Sequence, residues 1–570
     1  MMPSKARLTW WEIPFLALAP FAAIIAFQIS PVNQAGTVDP WLYTGLARNL
    51  AASWVQFGPT YYAVRFSALL PMTLAFELCG DVGGYLVLHY LAYVLLAGSL
   101  YATVRRLCDR SVAAVTILFL VCNPLATRFL VWDYVNFLAI PYFMASIAFW
   151  TLGAGRSPLW RVLAGFFAAA AIMAHLYVGI GLAIFYLVET ISAAWRGRAA
   201  FFRLTLNAAY AAIGFALCLV LGWLGYVAIL GWFSPIDLLR PTMAIAAEMP
   251  DIANRWSMPF LDWAAHSYNV YIPVIVAMTA LAATRFKLRG TPAILWFSLG
   301  YLAVIFGSRM IAATFVLEQS YYFSYLAPAI FLLLAITLSN LPGRKVSLTL
   351  FCIATVSVAA AHVWLPRIMA PLYVRMSGAF GILWMLAGVS IAIGLLIFIS
   401  RQHRAAAPVA AAALAITLQV AGFSTPDFGG LYGKPADTRD WGWPSYMTGT
   451  SIADITKRHW RPNERVLIWR SNSTSDAVWS PTFVGFWGQL NDLWGGSGMP
   501  ELGTPQLQKL SDARVTQILL VSGQPSMIDG GEAALEQAGF KIKERERETL
   551  GYAPAQSYAR LVEIIERPTQ

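Results

Sequence analysis

The sequence predicts a polytopic α-helical membrane protein of about thirteen transmembrane helices, followed by a C-terminal soluble α/β domain. Three observations predict it. Hydrophobic residues make up 58% of the 570 and charged residues only 12%, where a soluble globular protein carries about 25% charged. The shortage of charge is concentrated before about Thr425, which divides the chain into residues 1–424 in lipid and 425–570 in water. Apolar runs long enough to span a bilayer recur through the first part, separated by short basic connections.

The first apolar run follows Lys5 and Arg7 and extends from about Trp11 to Ile29. It is longer than the apolar core of a signal peptide, so it predicts an uncleaved first span. Spans are expected near 12–30, 83–104, 111–127, 135–153, 159–174, 177–194, 204–231, 269–284, 292–308, 321–340, 346–363, 378–400 and 405–423. The pair 159–174 and 177–194 meets at His175 with almost no loop.

Charge orients the stack. Alternate connections hold Arg105, Arg106 and Arg110; Arg156 and Arg161; Arg196, Arg198 and Arg203; Arg285, Lys287 and Arg289; Arg344 and Lys345; Arg401 and Arg404, with almost no acids among them. That is the pattern of cytoplasmic loops. The opposite loops are longer and mix acids with bases. The N-terminus is therefore expected in the cytoplasm of a multi-pass inner (plasma) membrane protein. An odd number of spans then puts the C-terminal domain outside, in the periplasm of a Gram-negative cell. The net charge of +11 is explained by these loops, and no nucleic-acid partner is expected. Cys79, Cys108, Cys122, Cys218 and Cys352 show no CxxC or metal-like spacing, and read as core or lipid-facing residues.

Two outer segments are long. Residues 30–81 contain two amphipathic stretches, Trp41–Trp54 and Tyr61–Leu78, suited to lie along the membrane surface. Residues 231–268 are broken by Pro235, Pro241, Pro250 and Pro259. In the tail, RVLIW (465–469) and QILLVS (517–522) predict buried strands. Residues 530–538 predict a helix stopped by Gly539, and 541–547 and 559–566 predict further strands. The Gly-rich stretch 491–500 lacks the preceding strand and following helix of a phosphate-cradling loop.

The polar residues with chemical potential lie on the outer side. Asp39 follows the first span in VDPWLYTGLARNLA, where Asp39 with Pro40 also reads as a helix start. Asp133 lies in FLVWDYVNFLAIPYFM beside Trp132, Tyr134 and Asn136, a polar-aromatic cluster of the kind that lines sugar sites; a helix-end cap is the alternative. His175 is at the tip of a tight hairpin, where a structural role is the alternative. Glu318 lies in FVLEQSYYFSYLAP, with Arg309 upstream and Tyr321, Tyr322 and Tyr325 after it; an interfacial aromatic belt also accounts for the tyrosines. Arg65, in TYYAVRFSALL, reads either as a phosphate ligand or as an interfacial arginine. No Walker A, HExxH, GxSxG or EF-hand pattern occurs, so ATP hydrolysis and zinc proteolysis have no support.

The order of these parts resembles the GT-C superfamily of polytopic glycosyltransferases, in particular its aminoarabinose transferase and protein mannosyltransferase-like branch. The resemblance rests on VDPWLYTGLARNLA, PTYYAVRFSALLPM, NPLATRFLVWDYVNFLAIPYFM and SYYFSYLAPAIFLLLA, and covers roughly residues 10–340. In that superfamily the first outer loop carries an acidic motif just after the first span, two surface helices follow, and a second acid begins the fourth span. The first motif is often a pair of acids, whereas Val38 and Pro40 flank Asp39 here; Arg65-Phe66 stand where Lys-Pro is frequent.

The resemblance implies transfer of a sugar from a polyprenyl-phosphate donor to a lipid, glycan or protein acceptor on the outer face, with inversion at the anomeric carbon. With the common sidedness of these residues, Asp39 and Asp133 are expected to be catalytic, and Arg65, His175, Arg309, Glu318, Tyr321 and Tyr322 to bind substrate. No cofactor is certain, and a divalent metal stays open. A secondary transporter or a lipid or polysaccharide flippase is the alternative. It would show paired repeats and charges near the bilayer midplane, and neither is found. A non-catalytic anchoring subunit, and an O-antigen-ligase-like transferase, are further readings.

Overall fold

A chain in lipid has no water to satisfy its peptide groups, so apolar runs close their hydrogen bonds internally as helices. The computed structural model follows that rule. It describes residues 10–26, 39–123, 135–244, 247, 271–284, 293–312, 324–365, 393–394, 405–423, 451–452, 454–455, 458–459, 464–471, 499–550 and 556–568. Every expected span meets a helix except 378–400, which lies outside the described residues apart from Ile393 and Gly394.

The helices are α1 (Glu12–Ala26), α2 (Asp39–Arg48), α3 (Leu50–Phe57), α4 (Phe66–Leu107), α5 (Arg110–Cys122), α6 (Asn136–Leu152), α7 (Leu159–Ala174), α8 (Val178–Trp195), α9 (Arg198–Leu230), α10 (Tyr271–Thr284), α11 (Ala293–Ala312), α12 (Ala327–Ser339), α13 (Arg344–Trp364) and α14 (Ala406–Phe423). Among the described residues, Val82–Leu107, Val178–Trp195, Arg198–Leu230 and Arg344–Ala361 are long and apolar enough to cross a membrane. Four tryptophans stand almost fully exposed: Trp10 before α1, Trp195 at the end of α8, Trp232 just past α9 and Trp364 at the end of α13. An indole prefers the boundary between hydrocarbon and water, so these rings belong to the two rims of an apolar band. The chain is membrane-embedded.

The first outer segment departs from expectation in detail. The single stretch 41–54 is two helices, α2 and α3, broken at Asn49. The stretch 61–78 is a turn over 61–64 followed by the first part of α4, which runs on into the next span through a kink at Gly80. Gly80 has φ 69°, a conformation that only glycine adopts without strain.

Small residues set the tightest helix contact. On α9, Gly214 lies so close to α7 that a Cβ there would fall 1.8 Å from the Val162 carbonyl oxygen. Gly165 of α7 returns the approach, with its Cβ position 1.8 Å from the Ala211 oxygen. In lipid, where apolar surface gains little by leaving a solvent of its own kind, such close backbone packing is a main source of association.

The end of the bundle holding the basic connections is tied by ion pairs. Glu12, fully buried at the start of α1, pairs with Arg105 at 3.2 Å and Arg110 at 3.1 Å and accepts the Tyr101 hydroxyl. Asp109 caps α5 through the Ser111 and Val112 amides and pairs with Arg344 of α13.

The C-terminal region forms one sheet in the order β1-β2-β4-β3, from β1 (Arg465–Arg470), β2 (Val515–Ser522), β3 (Lys541–Leu550) and β4 (Ser557–Glu566). β1 and β2 are parallel, and the other pairs antiparallel. Helices α15 (Thr504–Leu510) and α16 (Pro525–Gln537) precede and follow β2. Leu467, Trp469, Ile518, Leu520 and Val562 share an apolar cluster with Ile528 and Leu535 of α16. Val466, Ile468, Leu519, Val521 and Leu561, which alternate with them, belong to the contiguous cluster that also runs through the helical bundle. Burial on both faces is why β1 and β2 read as continuous apolar runs. The edge strand β3 instead alternates charge over 543–548, which discourages pairing with another chain. The expected division near residue 425 lies outside the described residues.

Candidate functional site

Four segments far apart in sequence meet at the bundle end opposite Glu12: α2, the turn before α4, the α7–α8 hairpin and the start of α12. Arg65 occupies the position just before α4 and is only 3% exposed. Its guanidinium carbon lies 4.3 Å from the centre of the Tyr61 ring and 5.3 Å from that of Tyr43. A planar cation resting on ring faces keeps part of its interaction energy without water.

Three helices hold the backbone that carries Arg65. The Ser67 hydroxyl donates to the Ala170 carbonyl of α7 at 2.7 Å, and the Tyr142 hydroxyl of α6 donates to the Ser67 carbonyl at 3.4 Å. From α9, the Tyr226 hydroxyl donates to the Ala63 carbonyl at 2.6 Å. α2 is fixed beside α4 by Thr44, paired with the Tyr85 hydroxyl, and by Thr73, whose hydroxyl donates to the Ala47 carbonyl at 2.7 Å.

His175 ends α7 with extended backbone and is 6% exposed. Burial holds its imidazole well below the ordinary histidine range, and the Arg65 cation pushes the same way. The ring is therefore neutral at pH 7. The Tyr177 amide donates to Nδ1 at 3.3 Å, so the single ring proton sits on Nε2. The Tyr325 ring lies 5.0 Å from His175 and 5.4 Å from Tyr177. The Tyr325 hydroxyl donates to the Asn136 side-chain oxygen, and the Asn136 amide donates to the Ser324 hydroxyl at 3.1 Å. Asn136 begins α6, three residues after Asp133, and Tyr325 follows Tyr321 by four. The flanks of both motifs are thus joined directly.

Of the expected site residues, the structure brings Arg65 and His175 together. Asp39 is the first helical residue of α2 rather than the residue before it, and its side chain lies outside the described residues. Arg309 lies on α11, its side chain likewise outside. Asp133, Glu318, Tyr321 and Tyr322 lie outside the described residues. Tyr43 and Tyr177 were not expected at the site. Tyr43 stands four residues after Asp39, one helical turn along α2, a spacing that could have found it.

Among the described residues, no three of His, Cys, Asp or Glu converge as a metal site requires. Among the described residues, the cluster holds the Arg65 cation.

The helical bundle and the C-terminal sheet together match the fold of solved structures. Among solved structures, the chain is similar to ArnT from Cupriavidus metallidurans bound to undecaprenyl phosphate. The identity is 14%, with 99% of this chain and 100% of that chain covered and a TM-score of 0.53. It is similar also to the same protein in the apo state, at 16% identity, 96% and 97% coverage and TM-score 0.48. The oligosaccharyltransferase of Archaeoglobus fulgidus in the apo form matches at 14% identity, with 90% of this chain and 69% of that chain covered and TM-score 0.43. Identities this low speak for the fold alone. No protein-family model matches the chain, and no curated protein matches it by sequence.

Proposed function

We propose that this protein is a membrane glycosyltransferase that moves a sugar from a polyprenyl-phosphate donor to a lipid, glycan or protein acceptor on the outer face of the membrane, with inversion. The observation that carries the reading is Arg65: a buried guanidinium on tyrosine faces, beside a neutral histidine. A buried cation without a bulk-water shell suits an anionic ligand that arrives already anchored in lipid. The structural likeness to ArnT bound to undecaprenyl phosphate supports such a ligand.

In this reading Arg65 holds the donor phosphate through the planar fork that fits two phosphate oxygens. His175 offers its Nε2 proton to the same group. Asp39, at the head of the helix that carries Tyr43, takes the proton of the acceptor hydroxyl, with Asp133 orienting the acceptor. The acceptor oxygen bonds to the anomeric carbon from the side opposite the phosphate. The bond from that carbon to the phosphate oxygen breaks with its electron pair, the product inverts, and Arg65 stabilises the charge left on the lipid phosphate. Arg309, Glu318, Tyr321 and Tyr322 are assigned to the surrounding substrate surface. The N-terminus is cytoplasmic and the region after residue 425 is an outer domain that shapes the acceptor side.

The test is donor binding and transfer by wild type, Arg65→Lys and Arg65→Gln at matched expression. Arg65→Lys keeps a point charge and is expected to retain part of the activity. Arg65→Gln leaves a buried anion unmatched and is expected to lose about 2–5 kcal/mol of phosphate binding. Equal behaviour of all three would make Arg65 a membrane anchor and move the phosphate site toward Arg309.

A further inference from the structure

We infer that Tyr226 of α9 is a positioning residue for the phosphate-binding Arg65, an inference that rests on the role proposed for Arg65. Tyr226 is fully buried, and its hydroxyl donates at 2.6 Å to the carbonyl of Ala63, two residues before Arg65. That bond joins the last helical turn of α9 to the turn at 61–64, which has no sheet or long helix of its own to hold it. The Tyr226 ring meets Phe66 on the other side of Arg65 at 6.2 Å, and Trp54 of α3 at 6.1 Å, both edge to face.

The same helix presses on the first turn of α4 further along. A Cβ at Gly222, one turn before Tyr226, would fall 2.0 Å from the Phe66 ring, and one at Gly225 would fall 2.7 Å from Leu70. α9 therefore contacts the chain just before Arg65 through a hydrogen bond, and just after it through packing. The carbonyl of Ala63 points where the Tyr226 hydroxyl fixes it, and the peptide geometry passes that constraint to the Arg65 Cα. Trp54 also meets Phe233 at 5.0 Å with the rings tilted, while the Trp223 indole donates to the Phe233 carbonyl at 3.3 Å. The root of the second outer segment is thus anchored to the same aromatic group.

The experiment is a double-mutant cycle on the full chain in nanodiscs, with undecaprenyl phosphate as the probe. Tyr226→Phe keeps the ring and removes the hydroxyl. It is expected to weaken binding about tenfold, the equivalent of about 1.4 kcal/mol. In an Arg65→Gln background the same change is expected to do nothing more, because its effect passes through the guanidinium. Ser146→Ala, which removes a buried bond of 2.9 Å to the Ala164 carbonyl away from this turn, is expected to bind as wild type. If Tyr226→Phe fails to fold, Gly222→Ala, which crowds Phe66, is expected to give the same loss and the same non-additivity. Wild-type binding by Tyr226→Phe, or an undiminished loss in the Arg65→Gln background, overturns the inference. Equal binding by wild type and Arg65→Gln overturns the reading of Arg65 itself.

Discussion

In the proposed mechanism, Asp39 and Arg65 make opposite demands on their surroundings. A general base works best with access to the acceptor proton and a pKa near the working pH, whereas a phosphate ligand gains strength from exclusion of water. The chain separates the two by element: Asp39 heads α2, and Arg65 is enclosed where three helices fix its backbone. Asp39→Asn keeps the size of the side chain but removes the base. Turnover with a competent donor is expected to fall about 10²–10⁴-fold with donor binding retained, measured by initial rates beside an equilibrium binding assay. Wild-type turnover would reduce Asp39 to a helix start. Arg65 and His175 were legible in the sequence as polar residues at the ends of apolar runs, where lipid makes each one costly. Tyr43 and Tyr177 were not legible as a group. A tyrosine near the interface has an ordinary anchoring role, and only the fold sets Tyr43 against Arg65 and Tyr177 against Tyr325.

Among the elements, α9 joins the bundle to the turn that carries Arg65. Gly214 and Ala211 lock it to α7, Gly222 fits it to Phe66, and Tyr226 ties it to the Arg65 turn. Gly165→Leu is expected to force α7 and α9 apart, since even a Cβ at that position meets the Ala211 oxygen at 1.8 Å. Overpacking of this kind costs about 1–3 kcal/mol, read as a lower unfolding midpoint in detergent. An unchanged midpoint would mean that the helices are not in backbone contact. Hydrophobic length gave the described helices of the bundle closely, because helix is the only economical form for an isolated apolar run in lipid. It did not give the break at Asn49 or the merging of the second surface stretch into α4. Amphipathic periodicity is the same on both sides of a kink. The tail strands were legible because double-faced burial leaves unbroken apolar runs in β1 and β2, while β3 was legible by its place after Gly539.

At the scale of the molecule, the two ends of the bundle carry different chemistry. One end is closed by Glu12, Arg105, Arg110, Asp109 and Arg344 in buried or capped ion pairs. The other gathers Arg65, His175, Asn136 and Tyr325 from separate segments. The basic connections of the sequence fall at the first end, and with the positive-inside rule they motivate the proposed orientation, polar cluster outside. A reporter fused after Gln570 is expected to be active only outside the cytoplasm, and activity confined to the cytoplasm would reverse this orientation. The two broad functions open to a basic polytopic bundle, transfer and transport, differ in what becomes of the donor. The most direct measurement is therefore made on proteoliposomes of the full chain supplied with a polyprenyl-phosphate donor labelled in the sugar, together with a membrane-extract acceptor. Glycosyl transfer predicts label in the acceptor fraction, free polyprenyl phosphate in equal amount, and loss of both with Asp39→Asn. Intact donor carried across the bilayer, with no label transferred and no lipid phosphate released, would contradict it.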